Sequence, residues 1–270
     1  MPKSNRGGKV NLGTVRVTLR QPQYHPVTNP RPTPQPAPQP QPAPTIQVNQ
    51  PSASFDAFKQ MTDDQKADVI MQSKNTQVPV FLAQNDLQKV LYGLKLNDKP
   101  TLVDDSVLDT MPGTDLYRTI NATNDNANRI KYTAMDVASQ TIKGSVTRVS
   151  DTGGSVHGRG IYFADSYRGS TVYGNTRNSI NQTAVVRVKL SPTAKVISTS
   201  AAASGLSREI NSGSKLGKAL SKIGRQDQTA VWALAKGYDA MVASNGYHVV
   251  INRAALIASK DIKAMGNSWK

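Results

Sequence analysis

From Ser54 onward apolar side chains return every three or four positions, the period of a helix with one buried face. Thr62-Asp63-Asp64-Gln65 is a capping-box signature: the threonine hydroxyl takes the N–H three residues on while Gln65 reaches back. It predicts a helix running to about Ser73. Pro79 in a first turn, with Phe81, Leu82, Val90, Leu91 and Leu94 recurring behind it, predicts a second amphipathic helix that ends near Gly93. Pro100 stops it, and residues 103–111 read as a third short helix. Residues 52–112 are therefore expected to form a small helical subdomain that packs against or positions the rest of the chain.

After Asp115 the period changes. Residues 116–120 read as a strand and 133–143 as a helix carrying Ala134, Val137, Ala138 and Ile142 on one side. Residues 161–164 and 183–190 are predicted strands; in the second, Ala184, Val186, Val188 and Leu190 alternate with Arg187 and Lys189. Pro192 ends that strand. Helices follow at 215–223 and 229–236, with Gly237 as the C-terminal stop, and the last strands are expected at 239–242 and 247–252. Short strands with helices between them describe an α+β domain over residues 113–270.

The first 51 residues do not fit either period. Eleven of the sixteen prolines lie between Pro22 and Pro51, and residues 30–44 nearly alternate proline with Gln, Ala, Thr or Arg. Such a segment buries no core and is expected to be a disordered, polyproline-like spacer. Ahead of it Lys3, Arg6, Lys9, Arg16 and Arg20 form a basic arm, within a chain of formal net charge +15. The arm suits electrostatic attraction to nucleic acid or an acidic protein surface. A short strand over residues 15–19 is the one regular element expected there. Cysteine is absent, which excludes disulfides and thiolate chemistry, and the three histidines, His25, His157 and His248, are scattered, so no metal site is expected. With no apolar run near membrane-spanning length and no secretory leader, a soluble protein without membrane partners is expected.

One stretch concentrates candidate chemistry. Residues 156–174 read VHGRGIYFADSYRGSTVYG. Gly158 and Gly160 leave strand backbone uncovered for close approach of a planar group, and Asp165 suits the N-cap of a short helix over residues 166–173. Tyr167, Ser170 and Tyr173 then fall about one turn apart, so two or three aromatics face one slot. From the residues alone, a strand entry with aromatics in the core reads equally well.

Three separated motifs, in order, resemble those of ADP-ribosyltransferases of the poly(ADP-ribose) polymerase and diphtheria-toxin-like kind. They are Leu116-Tyr117-Arg118; Gly158-Arg159-Gly160-Ile161-Tyr162-Phe163-Ala164-Asp165 with Tyr173 eight residues on; and Gly237-Tyr238-Asp239-Ala240 followed by the segment from Tyr247 to Arg253. The resemblance covers about residues 113–257 and is strongest to such proteins encoded by bacteriophages. It implies a split antiparallel sheet, with NAD as substrate and release of nicotinamide. It also implies an acceptor that is a host protein or nucleic acid, phage structural proteins as partners of the basic arm, and a location in a virion or the bacterial host cytoplasm. By the same resemblance Arg118, beside Tyr117, binds the ribose or phosphates and the Thr119 backbone holds the carboxamide. Gly158, Gly160, Tyr162, Phe163, Ser170 and Tyr173 shape the nicotinamide slot.

The chain departs from the pattern at one place. The family's catalytic glutamate precedes the tyrosine of the closing strand, where this sequence has Gly246 before Tyr247. His248 or Asn245 can orient a ribose hydroxyl without supplying negative charge, and Glu209, the only glutamate, and Asp239 are candidate carboxylates from elsewhere. Three functions stay open: a mono-ADP-ribosyltransferase; a non-catalytic virion-associated or accessory protein of the same fold; and an RNA 2′-phosphotransferase, which does without the glutamate.

Overall fold

The computed structural model describes residues 53–78, 85–94, 99–121, 123–124, 130–132, 135, 138–139, 159–172 and 183–264. The basic arm, the proline spacer, Pro79, Phe81, Leu82, most of the helix expected at 133–143, His157, Gly158 and Tyr173 lie outside the described residues.

Helices α1 (Ala53–Gln60), α2 (Asp63–Lys74) and α3 (Asp86–Gly93) open the described part. The capping box forms as its chemistry requires, with Thr62 Oγ1 accepting from Gln65 N–H and Gln65 Oε1 accepting from Thr62 N–H. Asn85 caps α3 by accepting from Gln88 N–H at 2.8 Å. The third element differs from expectation: Thr101–Val103 is a strand, β1, and the helix α4 is only Asp105–Thr110. Val103 points into a small cluster with Leu108 and Ile257, so strand pairing to the far end of the chain claims the residue that opens the predicted helix.

Next come β2 (Leu116–Asn121), the hairpin strands β3 (Thr123–Asn124) and β4 (Ile130–Tyr132), β5 (Ile161–Ala164) and helix α5 (Tyr167–Thr171). The rest is β6 (Thr183–Leu190), β7 (Val196–Ser198), α6 (Thr199–Asn211), α7 (Lys215–Ser221) and α8 (Gln228–Ala235). It ends with β8 (Ala240–Val242), β9 (Tyr247–Val250), β10 (Leu256–Ser259) and β11 (Lys263–Ala264).

The protein is α+β, built on one open mixed sheet of order β1-β10-β6-β2-β5-β9-β8-β7, with β11 alongside β6. Its interior pairings are antiparallel, as expected, but both edges are parallel, β1 on β10 and β7 on β8. One face meets the six helices α1–α3 and α6–α8: Phe55, Ile70, Val90, Leu220 and Leu234 share a core with Met241 and Val249 of the sheet. The other face carries Leu116, Phe163, Val186, Val188, Val250 and Leu256. Residues 53–94 therefore bury their apolar stripe in the same core as α6–α8.

Candidate functional site

The sheet is nearly parted at its middle. β2 pairs with β6 from Leu116 to Asn121, and β5 pairs with β9 along its whole length, yet β2 and β5 meet only at Tyr117 and Ala164. Side-chain contacts bridge the parting. Arg118 Nη1 donates to the Tyr162 carbonyl at 3.0 Å, and the hydroxyls of Thr119 and Ser170 lie 3.1 Å apart. Motifs more than forty residues apart in sequence thus become neighbours across one junction.

Helix α5 sits against this junction. Its cap is Ser166, whose Oγ accepts from Gly169 N–H at 3.1 Å, one residue later than the Asp165 cap expected from sequence. Ser170 is buried and also donates to the Tyr167 carbonyl at 2.7 Å. Tyr167 meets Tyr117 edge to face, centroids 6.1 Å apart. From β9, Tyr247 reaches the same helix and donates from Oη to the Gly169 carbonyl at 3.3 Å. Burial, with Asp115 beside it, holds the Tyr117 phenol above its ordinary range, and Arg187 opposes the shift.

Two expectations need correction. Tyr162 and Phe163 cannot both wall one slot, because successive strand residues face opposite sides: Tyr162 packs toward the helical core while Phe163, 2% exposed, is in the other core. Gly160 is not an opening for a ligand; a Cβ there would come within 2.5 Å of Val249 Cγ1 and 3.0 Å of the Val250 carbonyl, so this glycine serves close packing of β5 on β9. Beside it, the Arg159 guanidinium is held 2.8 Å from Asp227 and 2.7 Å from Gln226 Oε1.

The two substitute carboxylates are engaged elsewhere. Glu209 lies near the end of α6; it accepts from Ser214 Oγ at 2.6 Å and pairs with Lys236 at 2.9 Å, all within the helical layer. Asp239 is buried, accepting from Lys195 N–H and Asn252 Nδ2, both at 2.8 Å.

His248 is nearer the junction, on β9 directly opposite Phe163. Burial lowers its pKa from the ordinary 6.5, against the Gly246 carbonyl and Asp165, which favour the charged ring. Its imidazole lines a cleft of about 340 Å³ together with Leu116, Leu190 and Val196, beside the Pro112–Thr114 and Ser191–Ala194 turns. The position of the expected glutamate, Gly246, has φ +83°, and a Cβ on it would lie 2.3 Å from Asp165 Oδ2. The sequence offered no warning of that approach, since residues 165 and 246 are on different strand ends. Among the described residues, no group of three His, Asp or Glu side chains is arranged to hold a metal, and no helix is long and apolar enough to cross a membrane.

No protein-family model matches the chain, and neither a curated protein nor a solved structure matches it.

Proposed function

We propose that the chain binds NAD at the junction of β2 and β5 and transfers its ADP-ribose group to a macromolecular acceptor, protein or nucleic acid. One observation carries this reading: β2 and β5, neighbours in a continuous sheet, part after a single pairing, and Arg118 spans the parting to the Tyr162 carbonyl while Thr119 meets Ser170 from the opposite face of β2. Arg118 supplies a planar cation for a pyrophosphate or ribose, its fork matched to paired oxygens. Thr119 and Ser170 supply hydroxyls that can each give and take a hydrogen bond, which suits a carboxamide. Tyr117 and Tyr167 bring ring surface to the Thr119 side of β2. The +15 charge and the arm's basic residues draw a polyanionic acceptor or partner toward the chain.

The test is incubation of the full chain with NAD labelled in its adenylate part, alone and with bacterial lysate. Label transfer or release of nicotinamide is expected from the wild type, and a loss of about 10²-fold or more from Arg118→Ala. NAD should raise the wild type's melting temperature and fail to raise that of Arg118→Ala. A wild type that neither binds nor cleaves NAD refutes the proposal.

A second reading, a protein that holds NAD without turning it over, draws on the glycine at position 246. Thermal stabilisation by NAD with no nicotinamide released at any enzyme concentration would establish it.

A further inference from the structure

Breaking the bond between nicotinamide and ribose leaves positive charge on the sugar, and a nearby carboxylate stabilises that charge and orients a ribose hydroxyl. Most carboxylates on or beside the sheet are already committed. Asp105, Asp109 and Asp115 surround Arg187; Asp115 also meets Lys189; Asp104 meets Lys260; Asp227 holds Arg159; Asp239 ties Lys195 to Asn252.

Asp165 differs. It is exposed at the end of β5, one residue before the Ser166 cap, and no ion pair holds it among the described residues. Its carboxylate leans over Gly246: a Cβ built there would meet Oδ2 at 2.3 Å, Cγ at 2.7 Å and Oδ1 at 3.0 Å. The space a side chain at position 246 would enter is therefore filled by a carboxylate from the neighbouring strand. Gly246, at φ +83°, suits this arrangement twice over, since it tolerates the left-handed backbone and has nothing to clash with Asp165. On β9, His248 feels the Asp165 charge and Tyr247 reaches back to α5, so the carboxylate sits at the end of the β5–β9 pair, one residue past Ala164, where β2 and β5 meet.

We infer that Asp165 is the catalytic carboxylate of this chain, presented across the strand pair in place of a side chain at position 246. The inference rests on the NAD reading above. In the step, the C1′–N bond breaks and its electron pair leaves on the nicotinamide nitrogen, which becomes neutral. The acceptor's nucleophilic atom, or water oxygen, forms the new bond to C1′ and gives its proton to Asp165, which passes it to solvent. Nothing is oxidised or reduced.

The test measures NAD binding by thermal shift and nicotinamide release by chromatography, on the full chain. Asp165→Asn keeps size and exposure, and should keep NAD-induced stabilisation while turnover falls about 10²–10³-fold. Asp165→Ser, a second variant that removes the charge, should behave alike. Asp165→Ala combined with Gly246→Asp returns a carboxylate to the same space from the other strand, and should recover part of the turnover that Asp165→Ala loses. Wild-type turnover in either Asp165→Asn or Asp165→Ser overturns the inference and leaves the NAD reading standing. Loss of NAD binding in both overturns it as well, since the role would then be in holding the dinucleotide. A wild type inert toward NAD sinks both proposals together.

Discussion

Replacing Asp239 separates a structural carboxylate from a chemical one. The residue is 4% exposed and joins three chain segments. Oδ2 accepts from Lys195 N–H just before β7 and Oδ1 from Asn252 Nδ2 just after β9, each at 2.8 Å. Its backbone carbonyl takes Ile251 and Asn252 N–H at 2.9 and 3.0 Å, and the Lys59 ammonium lies 3.9 Å from Oδ1. Asp239→Ala leaves the buried Asn252 amide and the part-buried Lys195 N–H without an acceptor. A hydrogen bond to a charged group contributes about 1.5–3 kcal/mol, so the loss should be about 3–5 kcal/mol. Asp239→Asn keeps the shape and one acceptor oxygen but turns an NH₂ toward the other donor, and should cost about 1.5–3 kcal/mol. Urea unfolding followed by tryptophan fluorescence is the assay. With a denaturant slope of about 1–3 kcal/mol per molar, the alanine variant's midpoint should fall by roughly 1 M or more, with the asparagine variant between it and the wild type. NAD turnover per folded molecule should be unchanged in Asp239→Asn. A loss under about 1 kcal/mol in Asp239→Ala would refute the two-donor reasoning, and lost turnover in a folded Asp239→Asn would return the residue to the list of chemical groups.

Two further outcomes follow from packing and charge. Gly217→Ala would bring a Cβ within 2.1 Å of the Glu209 carbonyl oxygen, and since backbone cannot rotate away, α7 must move off α6; a loss of about 1–3 kcal/mol in thermal unfolding is expected. His248 has a lowered pKa in the fold, so below its ordinary 6.5 the unfolded chain binds more protons than the folded one, and stability falls as pH drops from about 6.5 toward the folded value. His248→Gln should flatten that part of the acid limb in pH-dependent unfolding, and an unchanged slope would contradict the burial of the ring.

Local signals were legible where local chemistry decides. The Thr62 box, the ends of β5 at 161 and 164 and those of β6 at 183 and 190 were readable because cap chemistry and alternation act within a few residues. Gly237, at φ +82° just past α8, belongs with them. Helix α6 escaped notice because its buried positions are Ala202, Gly205 and Leu206, a weak stripe that becomes a packing face only beneath Trp232, against which a Cβ at Gly205 would press at 2.2 Å. Strand β10 escaped because all four of its residues are buried, and a strand covered on both faces does not alternate.

The sequence by itself determined a helical then mixed α+β chain, a proline-rich basic arm, and three motifs in order. Only the tertiary structure decided what each motif residue faces. It set Arg118 on the Tyr162 carbonyl and Thr119 on Ser170, buried Phe163 away from Tyr162, closed Gly160 against Val249, and drew Glu209 into the helical layer. It also laid the Asp165 carboxylate over Gly246. Strand pairing brings together residues eighty positions apart, and no periodicity or motif spacing encodes which atoms will then compete for the same space.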